Sequence, residues 1–286
     1  IVIGAQKSGT TWLQHLFDCN EQFWCPPYQE IHFFDREFNK EGLDYYFSLY
    51  KEAPSSKITC DVTPNYLSHP LAPERIYYFS QRSARPIKFI FIGREPISRL
   101  ISAYKMKIRK QKEKGKQKVL SLEEALELDK NLINNSLYYT NLNNYLNYFS
   151  LENFEILIQE ELKDNKKYNL HKIERFLGLE NPIVDYYENS IINLGGLRKS
   201  YSLTKLQRNG GKLLRGLKMT SLVHKIKRSE IIKIINKQNY QPFDCQFTEK
   251  ELLKLKELER DIFYKEVENL SILLNKPDLL NLWGYN

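Results

Sequence analysis

The chain contains 286 residues, of which 42% are hydrophobic and 27% are charged. This apolar content is enough to build a packed core, so an intrinsically disordered chain is excluded. No apolar run approaches the roughly 18–20 residues of a membrane-spanning helix, and we therefore expect no stable membrane insertion. Lys and Arg outnumber Asp and Glu by 43 to 35, and this net charge of +8 favours an anionic partner.

The N-terminal segment and the cysteines bear on the cellular location. The segment IVIGAQKSGTTW lacks the charged leader and long apolar region of a signal peptide. Because it starts directly in a predicted strand, we expect that a preceding segment has been trimmed. The four cysteines show neither paired nor metal-ligand spacing, so we interpret them as buried thiols and predict no metal site. So few cysteines in so long a chain favour a reducing, cytoplasmic location.

Short apolar runs alternate with helical patterns along the chain. The predicted strands are Ile1–Ala5, Lys57–Asp61, Ile87–Gly93 and Phe154–Gln159. The predicted helices are Thr10–Cys19, Pro70–Gln81 and Pro96–Lys110, and capping boxes at Ser121–Glu124 and Thr248–Glu251 begin two more. This alternation predicts an α/β fold with a parallel sheet flanked by helices. Residues 1–286 show no linker or repeat, and we predict a single domain.

The segment Gly4–Trp12 is the strongest local signal. It lies between a predicted strand and a predicted helix, where backbone N–H groups and the helix dipole bind anions. Gly4 and Gly9 have the spacing of a Walker A loop, but Thr10 replaces its lysine, and Lys7 lies inside the loop instead. The sequence therefore predicts a phosphate-binding loop altered from that of nucleotide kinases. The candidate ligand-binding residues are Gln6, Lys7, Ser8, Gly9, Thr10, Thr11 and Trp12.

A second motif, R-E-P-I-S-R-L-I-S-A-Y, begins at Arg94. Arg94 leaves the carboxyl end of a predicted strand, where ligands gather in open α/β sheets. Ser98 and Ser102 are four residues apart and share one face of the following helix. Arg94 and Ser102 are therefore candidates for binding a terminal phosphate.

Together these motifs resemble those of the PAPS-dependent sulfotransferases, in which PAPS is 3′-phosphoadenosine 5′-phosphosulfate. QKSGTTWL resembles their 5′-phosphosulfate loop, and residues 94–104 resemble their 3′-phosphate motif RxPxxRxxSxY. Arg198 and Lys199 resemble a later Arg-Lys-Gly stretch that completes the 3′-phosphate site, although Ser200 replaces its glycine. The resemblance implies PAPS as donor, PAP as product, and a five-stranded parallel sheet of the P-loop nucleotide-kinase-like type. Only four of those strands can be identified from the sequence.

The same resemblance extends to the end of the chain. Residues 260–264 and Trp283 resemble the family's closing helix and tryptophan, and we interpret them as packing residues.

The candidate catalytic residues are Lys7, Glu30 and His32. Lys7 is the cation that would stabilise the leaving phosphate. The segment Q-E-I-H-F-F-D resembles the KExxFF segment of the heparan sulfate sulfotransferases and their bacterial relatives, which implies that Glu30 is the base. His32 is the rival base, because an imidazole titrates near neutral pH.

The sequence departs from the heparan-type motifs at two positions that bear on the acceptor. Gln29 stands where the heparan-type enzymes have lysine, and Val62 replaces the lysine of a segment that resembles their E-K-[ST]-P-x-Y. Both changes remove positive charge, which leaves room for a smaller or less anionic acceptor. The basic run Lys105–Lys118 has the charge to guide an anionic acceptor or a membrane surface, but we favour its interpretation as a solvated helix end and loop.

We therefore predict a sulfotransferase that moves the sulfonate of PAPS to a hydroxyl, or to an amine, of a carbohydrate or small metabolite. Neither a metal nor a nucleic-acid partner is expected. The alternatives are an ATP-dependent small-molecule kinase and a non-catalytic polyanion-binding module. The sequence leaves open the acceptor, the choice between Glu30 and His32, and the oligomeric state.

Overall fold

The computed structural model describes residues 1–26, 30–115, 118–183 and 240–285, the strand at 196–198, and residues 206, 209 and 210. The strands are β1 (Val2–Gly4), β2 (Phe23–Trp24), β3 (Ile58–Thr59), β4 (Phe89–Gly93), β5 (Phe154–Ile158), β6 (Gly196–Arg198) and β7 (Tyr240–Pro242). The first five are paired in parallel, whereas β6 and β7 form a separate antiparallel pair.

β1 lies between two neighbours. It pairs with β4, which in turn pairs with β5. On its other side Val2 forms a parallel bridge to Val62, with hydrogen bonds from Val2 N to Asp61 O at 2.8 Å and from Thr63 N to Val2 O at 3.1 Å. Since β3 runs directly into this bridge and pairs with β2, the strand order is β2-β3-β1-β4-β5.

The fifth strand, which the family resemblance alone implied, is β2. Its two residues, Phe23 and Trp24, pair with Ile58 and Thr59 of β3. Two residues cannot establish a periodicity, so the sequence pattern could not reveal this strand. The four strands that the pattern did predict are all present, each slightly shorter than predicted.

Helices cover both faces of the sheet. They are α1 (Thr10–Cys19), α2 (Phe38–Ser48), α3 (Ala72–Ser80), α4 (Pro96–Glu113), α5 (Leu122–Leu128), α6 (Asn131–Asn134), α7 (Tyr138–Leu146), α8 (Gln159–Asp164), α9 (Lys166–Leu177), α10 (Glu249–Leu258), α11 (Tyr264–Leu273) and α12 (Leu279–Trp283). A π-helical turn, Phe33–Glu37, precedes α2. None of the described helices combines the length and apolar character needed to cross a membrane.

The central strand β4 is buried on both faces, as its continuous apolar run predicts. Phe89 and Phe91 belong to the core under α4 and α7. Ile90 and Ile92 belong to the second core, under α1 and α9. The alternating side chains of one strand thus anchor helices on both sides of the sheet.

The predicted helix boundaries are mostly correct. α1 has the predicted bounds, whereas α4 continues three residues beyond the predicted end because the lysines there do not stop a helix. Both capping boxes are present, at Ser121 and Thr248. Phe263 and Trp283 are buried, which confirms the predicted packing role of these two residues.

All four cysteines are free thiols. Only Cys60 is buried, and Cys19, Cys25 and Cys245 are partly exposed. The expectation of buried thiols is therefore correct for one cysteine and wrong for three.

We expect Gly4→Ala to destabilise the fold, because the end of β1 is closely packed. A Cβ atom at Gly4 would lie 2.7 Å from Leu67 Cβ and 3.1 Å from the Pro64 carbonyl oxygen. Overpacking of this kind costs about 1–3 kcal/mol in the free energy of unfolding, measurable by urea denaturation. Gly93→Ala is the matched control at the end of β4, where the nearest atoms are 3.4 Å away. An equal loss of unfolding free energy in Gly4→Ala and Gly93→Ala would contradict this explanation.

Candidate active site

The loop between β1 and α1 has the geometry of an anion site. Lys7 and Gly9 both have positive φ, 77° and 110°, and Gly9 begins the helix. Glycine reaches this left-handed region without a Cβ penalty. The first turn of α1 contains no acidic residue, so its unpaired N–H groups and the positive end of the helix dipole are available to an anion.

The predicted loop residues differ in exposure. Ser8 and Thr10 are buried, whereas the other loop residues are partly exposed. Gln6 Nε2 lies 3.5 Å from Asn65 Oδ1. Trp12 packs against the core under α1.

A cavity of about 180 Å³ lies beside this loop, and we call it the cation cavity. Its lining residues are Lys7, Arg94, Ser98, Ile101, Ser102, Lys105, Met106, Arg109 and Phe243. Lys7, Arg94 and Ser102, which the sequence placed in one site, are therefore brought together. Arg94 Nη1 also donates a hydrogen bond to the Lys7 carbonyl oxygen at 3.3 Å.

The start of α4 is fixed from several directions. Glu95 caps the helix by accepting hydrogen bonds from Ile97 N at 2.7 Å and Ser98 N at 2.6 Å. Tyr285 OH donates to the same carboxylate at 2.9 Å, and Tyr138 OH donates to the Arg94 carbonyl oxygen at 2.8 Å. These contacts hold Arg94 where β4 turns into α4.

Part of the cavity wall was missed by the sequence analysis. Lys105 and Arg109 line the cation cavity, so their interpretation as solvated residues of a basic run is wrong. Lys110, Lys112 and Lys114 are exposed, and for them it is correct. The signal that could have found the two lining residues is spacing, because positions 98, 102, 105 and 109 follow one helix face.

The cavity carries unbalanced positive charge. Burial lowers the pKa of Lys7, and the nearby cations of Arg109, Arg94 and Lys110 lower it further. None of the described residues that line the cavity is acidic. Within the described ranges Lys7, Arg94 and Arg109 form no ion pair, whereas Lys105 pairs with Asp244. Such a set of crowded cations fits an anionic group.

A second cavity of about 430 Å³, which we call the Glu30 cavity, includes residues from the start of α1. Its lining residues are Thr10, Thr11, Gln14, His15, Glu30, His32, Val62 and Pro64. Lys7 of the loop thus lines the cation cavity, and Thr10 and Thr11 of the adjoining first turn of α1 line the Glu30 cavity.

Glu30 and His32 form a chain of hydrogen bonds with Asp35. His32 Nε2 lies 2.9 Å from Glu30 Oε2, and Nδ1 lies 2.9 Å from Asp35 Oδ2. An imidazole donates from both nitrogens only when it is protonated. The hydrogen bonds to Asp35 and Glu30 accordingly raise the pKa of His32 to about 9. Asp35 belongs to the same sequence motif, but the motif predicts no role for it, because its contact with His32 depends on the fold.

Some predicted residues lie outside what the structure describes. Lys199 and Gln29 are among them, and of Arg198 the structure describes only its place in β6. Val62 lines the Glu30 cavity, so an apolar side chain stands where the resemblance places lysine. Among the described residues, no group of three or more His, Cys, Asp or Glu side chains could hold a metal ion.

Comparison with known proteins identifies similar chains. The model of the sulfotransferase domain family matches residues 1–194. Heparan sulfate glucosamine 3-O-sulfotransferase 5 of Mus musculus is 31% identical over 196 residues, which cover 65% of this chain and 55% of the relative. Heparan sulfate glucosamine 3-O-sulfotransferase 3B1 of Homo sapiens is 25% identical over 253 residues, which cover 86% of this chain and 61% of that relative. The matched part is thus little more than half the length of these curated relatives.

Among solved structures, a sulfotransferase from Alicyclobacillus acidocaldarius has a TM-score of 0.61 and 18% sequence identity. The match covers 99% of this chain and 97% of that one. It supports the α/β fold with a parallel sheet.

The raised pKa of His32 predicts a pH dependence of stability. A group whose pKa is higher in the folded state stabilises that state fully below its unfolded pKa of 6.5 and loses the effect as the pH rises through about 9. We expect the free energy of unfolding of the wild type, relative to His32→Asn, to decrease between these two pH values. Urea denaturation across that window measures it, and a constant difference would contradict the assignment.

Proposed function

Because the chain belongs to the sulfotransferase family, we propose that it transfers the sulfonate of PAPS to a hydroxyl of a carbohydrate or small metabolite and releases PAP. The observation that carries the proposal is the shared loop. Lys7 lines the cation cavity with Arg94 and Arg109, none of which forms an ion pair with a described residue, while Thr10 and Thr11 line the cavity that contains Glu30 and His32. This arrangement suits a transfer between a polyanionic donor on one side and an acceptor on the other.

The cation cavity fits the phosphate end of the donor. PAPS supplies a sulfonate already linked to a good leaving group, the 5′-phosphate. Arg94, Ser102 and Arg109 bind the 3′-phosphate through charge-assisted hydrogen bonds. At 180 Å³ the cavity is smaller than the about 300–1,000 Å³ of sites for whole ligands, which suits one phosphate rather than an entire nucleotide.

Lys7 and the start of α1 stabilise the transfer. Negative charge grows on the leaving phosphate as its bond to the sulfonate breaks, and a fixed cation beside it lowers the barrier. Lys7 supplies that cation from inside the loop. The N–H groups of Thr10 and Thr11 bind the same region from the helix N-terminus.

The geometry favours Glu30 over His32 as the base. With a pKa of about 9, His32 is already protonated at neutral pH and cannot take a proton from the acceptor. Its Nε2–H instead donates a hydrogen bond to Glu30 Oε2, and its Nδ1–H donates one to Asp35 Oδ2. Glu30 then takes the acceptor's proton through its other oxygen, and His32 is a positioning residue for it.

The Glu30 cavity, where the acceptor binds in this proposal, favours an acceptor of low negative charge. Glu30 and the nearly buried Asp35 place two carboxylates around His32, and Val62 contributes no charge. The names of the similar enzymes, which act on heparan sulfate glucosamine, support a carbohydrate. We infer a neutral or weakly anionic carbohydrate, or a metabolite with a similar hydroxyl.

We expect PAP to raise the melting temperature of the protein, since a ligand that binds the folded state stabilises it. Arg94→Ala and Arg109→Ala should each weaken PAP binding by about 1.5–3 kcal/mol, the cost of a charged hydrogen bond. Calorimetric titration measures this loss. The same two substitutions should weaken the binding of adenosine 5′-phosphosulfate less, because this ligand lacks the 3′-phosphate.

Lys112→Ala is the control, because Lys112 lies on the same helix but is exposed. Equal losses for the two ligands would show that neither arginine contacts the 3′-phosphate. A folded wild type that does not respond to millimolar PAP would contradict the proposed donor.

We expect Glu30→Gln to lower turnover by about 10²–10⁴-fold, because glutamine keeps the size of the side chain but accepts no proton at neutral pH. PAP release from PAPS with a panel of carbohydrate acceptors measures turnover, and PAP affinity should stay unchanged. His32→Asn serves as the comparison. If Glu30→Gln stays active while His32→Asn does not, the assignment of the base to Glu30 is wrong.

A further inference from the structure

The carboxylate of Asp61 is buried and has no part in the mechanism above. Asp61 is 3% exposed and follows β3. Its Oδ1 accepts a hydrogen bond from Thr63 Oγ1 at 2.7 Å, and its Oδ2 accepts from Tyr46 OH and Tyr66 OH, each at 3.0 Å. Burying a carboxylate is costly, so three hydroxyl donors gathered on one carboxylate indicate a specific use.

Asp61 makes the hydroxyl oxygens of Thr63 and Tyr66 hydrogen-bond acceptors toward their other partners. A hydroxyl has a single hydrogen, and these two hydroxyls donate theirs to Asp61. Their oxygens therefore act as acceptors toward other partners. Thr63 Oγ1 accepts from Ile31 N at 3.1 Å, and Tyr66 OH accepts from Phe33 N at 3.0 Å.

These two N–H groups lie on either side of His32. His32 has φ 55°, in the left-handed region that residues with a Cβ rarely adopt. Its carbonyl oxygen begins the π-helical turn by accepting from Glu37 N at 3.2 Å, and it also accepts from Arg36 N at 3.0 Å. The segment is therefore fixed at the residues before and after His32 and also at the His32 carbonyl, and the side chain is directed between Glu30 and Asp35.

We propose that Asp61 is a positioning residue: through the hydroxyls of Thr63 and Tyr66 it fixes the backbone on both sides of His32 and so aligns the Glu30–His32 pair. The consequence for turnover rests on the proposed function, whereas the alignment is a property of the fold. The two are therefore measured separately.

Tyr46 provides a matched control. Its hydroxyl donates to the same Asp61 oxygen as that of Tyr66, at the same distance. The other contact of the Tyr46 hydroxyl is Tyr50 OH at 3.4 Å, and it does not hold the backbone beside His32. Tyr46→Phe and Tyr66→Phe thus remove equivalent hydrogen bonds from Asp61, but only Tyr66→Phe releases Phe33 N.

The experiment compares Thr63→Val, Thr63→Ser, Tyr66→Phe and Tyr46→Phe with the wild type. Histidine NMR gives the pKa of His32, identified among the five histidines by the signal missing in His32→Asn. The charged groups that face this imidazole are Asp35, Glu30 and Arg36. PAP affinity, kcat and KM are measured in parallel, and circular dichroism verifies folding.

We expect Thr63→Val and Tyr66→Phe to move the His32 pKa from about 9 toward its ordinary value of 6.5. They should also lower kcat by about 10²-fold, the effect of misplacing a reacting group by about 1 Å, with PAP affinity unchanged. Thr63→Ser keeps the hydroxyl and should retain the wild-type pKa and kcat. Tyr46→Phe should retain both as well, even where it lowers stability.

An unchanged His32 pKa in both Thr63→Val and Tyr66→Phe would overturn the proposal, as would equal effects of Tyr46→Phe and Tyr66→Phe. If Tyr66→Phe does not fold, the comparison of Thr63→Val with Thr63→Ser decides. If the wild type transfers no sulfonate, the proposed function fails, and the histidine titration still decides whether Asp61 aligns His32.

Discussion

The parallel pairing of β1 on both sides is the constraint on which the rest of the structure depends. Val2 bridges to Val62 on one side and pairs with Ile90 of β4 on the other. Parallel strands end at the same edge of a sheet, so three chain segments leave the sheet together. One becomes the phosphate loop, one carries Asp61 to Tyr66, and one turns into α4 at Arg94. Segments about 90 residues apart in sequence thereby share one site.

The cation cavity and the Glu30 cavity differ in the charges of their side chains. Among the described residues that line the cation cavity, Lys7, Arg94 and Arg109 have no ion-pair partner, whereas Lys105 pairs with Asp244. The Glu30 cavity contains charges of both signs, because the carboxylates of Glu30 and Asp35 flank the imidazole of His32, and the two carboxylates outnumber the single cation. The neighbouring cations lower the pKa of Lys7, and in the proposed function binding of the anionic donor relieves this repulsion.

The predictable part of the site is local in sequence. A helix follows a strand through a short connection at β1 to α1 and again at β4 to α4, so spacing alone predicts a phosphate motif at both places. β2 was missed because two residues have no periodicity. Arg109 was missed because its neighbours are solvated lysines.

The remaining contacts depend on tertiary structure. The network around Asp61 joins residues about 30 positions apart through hydroxyl hydrogens whose directions no sequence pattern encodes. The protonation of His32 likewise follows from two carboxylates that only the fold places on its ring. The sequence identified Glu30 and His32 as candidates, and the contacts of His32 with Glu30 and Asp35 support the proposal that Glu30 is the base.

The contact between Tyr285 and Glu95 has a consequence for the order in which the protein is made. These two residues are 190 positions apart, and Trp283 makes a similar contact with Glu160, whose other oxygen accepts from the Glu95 N–H. A ribosome therefore finishes every described cation of the phosphate site long before it synthesises the side chains that brace the start of α4. During that interval the nascent chain carries a positively charged surface without its final support. In the proposed function, firm binding of the donor is therefore expected late in synthesis, when the distal aromatic residues have docked.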